Sequence, residues 1–356
     1  MEKIITIKDV AECANVSIST VSRVLNGKTS VKPELKKAVW KAVEQLNYKP
    51  NAAARFMKGQ KTGTIGLLVP DIANPFYSGI LAGAITRAQD SYHTLMVSSS
   101  NGSLDQEKKS LEHLSRSVLD GLIYCPVARN EAFTEIEYFK NIPVVIAFRR
   151  NIISNRPHVY ADNIKGGYIA TKYMLRLKRK RICFLAGFWN PPCDSSNILK
   201  MSSSPESGFY TTLDRFKGYI QALEEEGIPF DPSLVFICKY DHISGYNAAK
   251  KVIADSIDID GLLAPNDLVA SGVIKLLSEQ GISVPHDISV IGYDDGLIAP
   301  IITPSLTSVK QSSEEIGVKS VDLMLNLLDG KEVNDYVVDV SLSIRNSTSF
   351  LKNHND

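Results

Sequence analysis

The sequence predicts two fold classes in one chain of 356 residues: an all-α helix-turn-helix head, then an α/β body of two Rossmann-like lobes. Three observations carry that expectation. Helical periodicity in three short segments fills the first fifty residues. From Gly63 onward, apolar runs alternate with amphipathic helices in two successive series. Charge divides at the same place: residues 1–62 hold twelve Lys/Arg against five Asp/Glu, and the remainder 28 against 34. A basic head on an acidic body suits a chain that meets a polyanion at one end, although a short basic segment is also compatible with a solvated face.

In the head, Thr6-Ile7-Lys8-Asp9 has the form of a capping box, which starts a helix with Ile7, Val10, Ala11 and Ala14 on one face. Ser17 offers a second N-cap. Ile18, Val21, Val24 and Leu25 follow at helical spacing, and Asn26-Gly27 ends that helix. Pro33 fits the first turn of a third helix, with Leu35, Val39, Ala42, Val43 and Leu46 expected inward. The second helix leaves Ser19, Thr20, Ser22 and Arg23 outward; hydroxyls suit phosphates, and arginine suits a guanine edge or a phosphate. A three-helix bundle for protein contacts is the competing reading. Residues 50–59 are short and Ala-rich, a helix too marginal to stand alone in water.

The body opens with Ile65–Val69, an apolar run of the kind buried on both faces of a parallel sheet. A first series of strands and helices reaches Phe148, and a second runs from Asp162 to Tyr293. In such sheets ligands bind beyond the carboxyl ends of the strands. Those ends carry Asn74, Phe76 and Tyr77, then Tyr240, Asn266, Asp267 and Asp294, with Arg215 at the start of a helix and Asn101 and Asp162 as further candidates. Carboxylates, amides, an arginine and aromatic faces converging on one cleft suit a sugar. Singly, each residue is as well explained by strand-end capping.

These residues carry a resemblance. Ile7–Ala11, Val16–Gly27 and Leu46–Arg55 resemble the head of the LacI/GalR family of bacterial transcription regulators, and the similarity continues to about residue 346. It implies a head over 1–49, a hinge helix over 50–62 and a periplasmic-binding-protein-like effector and dimerisation domain over 63–346. It divides that domain into lobe 1 (63–162 plus 295–324) and lobe 2 (163–294 plus 325–346), with a tail at 347–356. It implies DNA contacts from Thr6, Ser17, Ile18, Ser19, Thr20, Ser22, Arg23 and Asn26, and from Asn51, Ala54, Arg55 and Met57 of the hinge. Met57 stands at the minor-groove wedge, where the family usually has leucine. It also implies an effector pocket at the strand-end residues above, palindromic operator DNA as partner, and a sugar or, alternatively, a nucleoside or purine as effector.

Two departures stand out. Some members place an Asp where this chain has Ala147, followed by Phe148. Residues 189–210, rich in Ser and Pro, are longer than usual and read as an insertion or a lid at the cleft mouth, with Trp189 a possible aromatic face for ligand. The basic run Lys178–Arg181 reads as a solvated helix end. Five cysteines without metal or redox spacing suggest reduced thiols. Neither HExxH nor GxSxG occurs, and no enzyme activity, metal or cofactor is expected. With no signal-peptide pattern and no apolar run of membrane length, the expected location is cytoplasmic. No heptads follow Arg345, so a homodimer is expected. A solute-binding protein of a transporter is the rival reading; the basic head opposes it.

Overall fold

The computed structural model describes residues 5–25, 31–48, 61–127, 137–150, 156–191 and 193–351. The chain separates into two compact units, 1–62 and 63–356. Among the described residues no helix is long and apolar enough to cross a membrane.

In the head, α1 spans Ile7–Cys13, α2 Ile18–Leu25 and α3 Pro33–Gln45. Asp9 starts α1 by accepting both the Thr6 N–H at 2.8 Å and the Thr6 hydroxyl at 2.6 Å. Ser17 Oγ accepts the Thr20 N–H at 3.1 Å, capping α2. Neither short helix is stable alone; they share a core of Val10, Ala11, Val21, Val24, Val39 and Ala42. Leu35 is not in it. It is 37% exposed, because the first turn of α3 runs past the α1–α2 core, and Val31 fills that place from the preceding loop.

The body holds two six-stranded sheets. The first has the order β11-β5-β4-β3-β1-β2, all parallel: β1 is Thr64–Val69, β2 Thr94–Ser99, β3 Gly121–Tyr124, β4 Val144–Ala147, β5 His158–Ala161 and β11 Tyr336–Val338. The second has the order β12-β10-β9-β8-β6-β7: β6 is Ile182–Gly187, β7 Val235–Cys238, β8 Gly261–Leu263, β9 Ser289–Asp294, β10 Thr307–Gln311 and β12 Val340–Ser343. Only the β10–β12 pairing there is antiparallel. β1, β3 and β4 are almost wholly buried, as central parallel strands covered on both faces must be. Helices α4 (Pro75–Asp90), α5 (Leu104–Ser115), α6 (Glu137–Lys140) and α12 (Ser313–Leu328) belong to the first lobe. Helices α7 (Asn163–Arg176), α8 (Ile198–Ser202), α9 (Thr211–Glu225), α10 (His242–Ala254) and α11 (Asp267–Glu279) belong to the second.

The sheets redraw the expected lobe boundaries. The first crossing falls at Asp162, between β5 and α7. The second lies at residue 312, not 294/295, because β10 pairs with β9 in the second sheet. The third lies at Asp339, because β11 joins β5 in the first sheet and β12 joins β10 in the second. Two further expectations fail for one reason. Arg179 is not a solvated helix end: it is fully buried and donates to the carbonyls of Pro285, His286, Asp287 and Ser349 at 2.8–3.2 Å. Residues 347–351 are not a loose tail: buried Ser347 exchanges hydrogen bonds with Val290, and Leu351 N–H reaches Leu177 O at 3.0 Å. The arginine supplies the donors that hold this last segment against the second sheet.

Candidate functional site

The exposed face of α2 begins at its N-cap. Ser17, Ile18, Ser19 and Arg23 are exposed, and Thr20 and Ser22 half-buried, while Val21 and Val24 face inward. The Ser17 hydroxyl lies 2.8 Å from those of Ser19 and Thr20. Thr6 is exposed at the start of α1. Ile18, 40% exposed, stands as an apolar group among hydroxyls, a pairing that suits a thymine methyl beside phosphates. Asn26, Asn51, Ala54, Arg55 and Met57 lie outside the described residues.

In the body, a cavity of about 640 Å³ opens between the lobes. The first lobe lines it with Asn74, Phe76 and the first turns of α4, the second with Asn266, Asp267 and Asp294, and the second crossing with Gln311 and Ser312. Asn74 accepts the Phe76 N–H at 3.0 Å, and Asn266 accepts the Val269 N–H at 2.8 Å. Both amides therefore cap helices while facing the cavity.

The two aspartates dominate its electrostatics. Asp267 accepts from Ser308 Oγ at 2.6 Å and from Gly296 N–H at 2.7 Å. Burial, then the neighbouring Asp294, push its carboxyl up to about 8. Asp294 sits at φ +99° and accepts from Gln311 Nε2 at 2.5 Å. Burial pushes it up to about 7, against the opposing pull of Arg215. Gln311 Oε1 is buried without a hydrogen-bond partner. A convergence of strained backbone, unmet acceptor and displaced carboxyl titrations marks a binding site better than volume does. An open groove of about 1070 Å³ along edge strand β7 is larger, but the second lobe alone lines it.

The cavity gathers five of the anticipated effector residues: Asn74, Phe76, Asn266, Asp267 and Asp294. The other five lie elsewhere. Arg215 donates within the second lobe, Nε to Asn163 Oδ1 at 2.8 Å and Nη1 to Pro265 O at 2.7 Å, with its guanidinium 3.4 Å from the Tyr293 ring centre. Asp162 caps α7 by accepting the Lys165 N–H. Asn101 is exposed and turns the loop after β2 at φ +49°. Tyr77 is buried beside Phe76 and Phe148, with ring centres 5.3 and 5.7 Å away. Tyr240 donates its hydroxyl to Gly187 O at 2.6 Å and lies 5.3 Å from the Trp189 ring. Sequence reasoning missed Ser308 and Gln311. Gln311 ends a strand, so the strand-end rule that found Asp294 covers it too. Among the described residues, no group of three or more His, Cys, Asp or Glu is placed to hold a metal.

Residues 6–51 match the bacterial regulatory proteins of the lacI family, and residues 171–348 match the periplasmic binding protein-like domain. The HTH-type transcriptional regulator RegA of Clostridium saccharobutylicum is 32% identical over 96% of this chain and 99% of its own. The chain belongs to the LacI family. Its relatives are transcription regulators, not enzymes. The lac repressor dimer bound to operator and the anti-inducer ONPF is a structural neighbour, with TM-score 0.80 and 27% identity over 98% of this chain and 100% of that one. A second is the transcriptional regulator CelR in complex with cellobiose, with TM-score 0.70 and 27% identity over 96% and 99%. This family member carries the helix-turn-helix head and the two-sheet body that those relatives share.

Proposed function

We propose that this LacI-family regulator is a cytoplasmic homodimer that represses a carbohydrate-utilisation operon, each head reading one half of a palindromic operator. The hydroxyl-and-arginine face of α2 carries this reading. Thr6, Ser17, Ser19, Thr20 and Ser22 contact phosphates or base edges, Ile18 a thymine methyl, and Arg23 a guanine. Asn26, Asn51, Ala54, Arg55 and Met57 complete the DNA contacts, Met57 as the minor-groove wedge.

The effector enters the interlobe cavity. Asn74, Asn266, Asp267, Asp294 and Gln311 offer the alternating donors and acceptors that sugar hydroxyls need, and Phe76 an apolar face. The relative in complex with cellobiose supports a sugar over a nucleoside. Because both lobes line the cavity, a ligand there favours one lobe tilt over another and so biases the head's affinity for DNA.

Selection from random duplexes, followed by titration at several salt concentrations, tests this directly. A palindrome should emerge, with affinity falling steeply with salt. No preference for any palindrome over random duplex would sink the proposal. Arg23→Ala should relax discrimination at one base position by about 1–3 kcal/mol; a uniform loss across all sequences would make Arg23 a phosphate contact instead.

A further inference from the structure

The cleft is already partly filled, and by the chain itself. Of the segment after β6, the described residues 188–191 and 193–210 touch the first lobe twice before α9. The first touch is Trp189. Its ring lies so close to Gly102 of the first lobe that a Cβ there would stand 2.2 Å from Cε3. Its other side meets Tyr240 at 5.3 Å, tilted by 48°. Asn190 Nδ2 adds a bond to Gly102 O at 3.4 Å. The second touch is Phe209, whose carbonyl accepts from Arg149. That arginine is itself fixed in the first lobe by the carbonyls of Pro126 and Val127 at 2.6 and 2.5 Å. Beyond it, Arg150 forks onto buried Asp214 of α9 at 2.5 and 2.7 Å.

The described residues of this segment strap the two lobes together. We propose that Trp189 determines which ligands the cleft accepts. It packs between Gly102, Tyr77 and Tyr240 beside that cavity, whose Asn266 donates to the Tyr240 carbonyl at 2.9 Å, and so it limits how far a ligand held at Asp267 and Asp294 can extend. The inference rests on the reading of that cavity as the effector site.

The seat is filled but not bolted. The indole N–H faces the Tyr77 hydroxyl, yet it is buried without a hydrogen bond of proper geometry. An incoming group that satisfies it, or a ligand ring that replaces it on Tyr240, exchanges one aromatic contact for another. Gly102 fits the same arrangement. Its φ of +67° suits glycine or asparagine, but only glycine leaves room for the indole.

Trp189 shares the chain with one other tryptophan, Trp40 on α3 of the head. The full-length Trp40→Phe protein therefore reports Trp189 alone. Acrylamide should quench its emission severalfold less than it quenches N-acetyltryptophanamide. Adding Gly102→Asn, which keeps the backbone angle but intrudes on the ring, should make it readily quenched. A Trp189 as quenchable as the free amide overturns the proposal.

Thermal-shift titrations with glucose and cellobiose then read specificity. Trp189→Ala should raise the preference for cellobiose over glucose by up to about tenfold, the worth of one stacked ring, and Trp189→Phe should change it less. An unchanged preference in Trp189→Ala overturns the specificity role. If neither sugar shifts any of the proteins, the reading of the cavity as a sugar site fails and the specificity role falls with it. The quenching arm still decides whether Trp189 fills the cleft.

Discussion

Asp267 and Asp294 face one cavity, and each holds its proton to a far higher pH than a solvated carboxyl does. The consequence for stability has a definite sign. An unfolded aspartate titrates near 3.9. Between about pH 4 and pH 8 the folded chain therefore binds more protons at these positions than the unfolded chain, and their contribution to stability falls as pH rises. Asp267→Asn removes that dependence at one position: its amide oxygen can still accept from the Gly296 N–H, and its NH2 can donate to the Ser308 hydroxyl, which turns to accept. The difference in Tm between wild type and Asp267→Asn should shift in the variant's favour from pH 5 to pH 8.5. Parallel pH profiles would show that Asp267 titrates normally. A ligand that supplies donors to the carboxylates should bind more tightly as pH rises through the upper part of that window, as the two carboxyls lose their protons.

Arg150 and Asp214 illustrate a second residue-scale balance. Asp214 is 3% exposed, so losing its forked partner strands a buried charge with only Lys217, 3.7 Å away, as replacement. Arg150→Ala should destabilise the body by about 2–3 kcal/mol, below the range for a fully buried pair because Arg150 is a quarter exposed. Urea unfolding checks this, and a loss under about 0.5 kcal/mol would class the pair with surface bridges.

At the scale of elements, α7 and α9 pack at backbone contact through Gly167 and Gly218. A Cβ on Gly167 would lie 2.0 Å from Arg215 O, and one on Gly218 2.1 Å from Ile164 O. Since α9 carries Arg215 and α7 begins at Asn163, this crossing sets the distance over which those two residues bond. Gly167→Ala should cost about 1–3 kcal/mol by overpacking and weaken effector binding through the displaced Arg215–Asn163 pair. Calorimetry that finds stability reduced but affinity intact would separate the two effects.

The same elements show how far the sequence could be read. Strands such as β1, β3 and β4 were legible because a strand buried on both faces is a continuous apolar run. The short head helices were legible because caps and turn residues are local. β10 was not: Thr307–Gln311 holds one apolar residue, Val309, and no alternation, so neither the strand nor the sheet it joins shows before its pairing with β9 is known. Arg179 read as solvent-facing because its destination, carbonyls more than a hundred residues away, leaves no trace near position 179. In the site, Asp294 and Asn266 were found because strand ends announce themselves. Arg215 was expected at the cleft but does not line the cavity: it donates to Asn163 and Pro265, and nothing in a local motif shows a donor already engaged. The Trp189–Gly102 contact joins two loops in different lobes, and no periodicity records it.

At the scale of the whole molecule, the family reading requires that ligand and DNA report on each other. Binding of a sugar should change operator affinity by some factor, and operator should change sugar affinity by the same factor. Measuring both with one purified protein tests the coupling: a common factor different from one establishes it, and a factor of one in both titrations would show that the sites are uncoupled. The head and the body each have their own core, so heat should unfold the head's short helices separately from the body, and only the body's transition should respond to ligand.

The three crossings at residues 162, 312 and 339 impose an order on synthesis. The head is encoded in one piece, so it can fold soon after it leaves the ribosome. Neither lobe can close its sheet until β11 and β12, at 336–343, have emerged. At roughly 5–20 residues per second, translation of the body takes on the order of tens of seconds. During that interval the nascent chain displays a finished DNA-reading head tethered to an unfinished sensor.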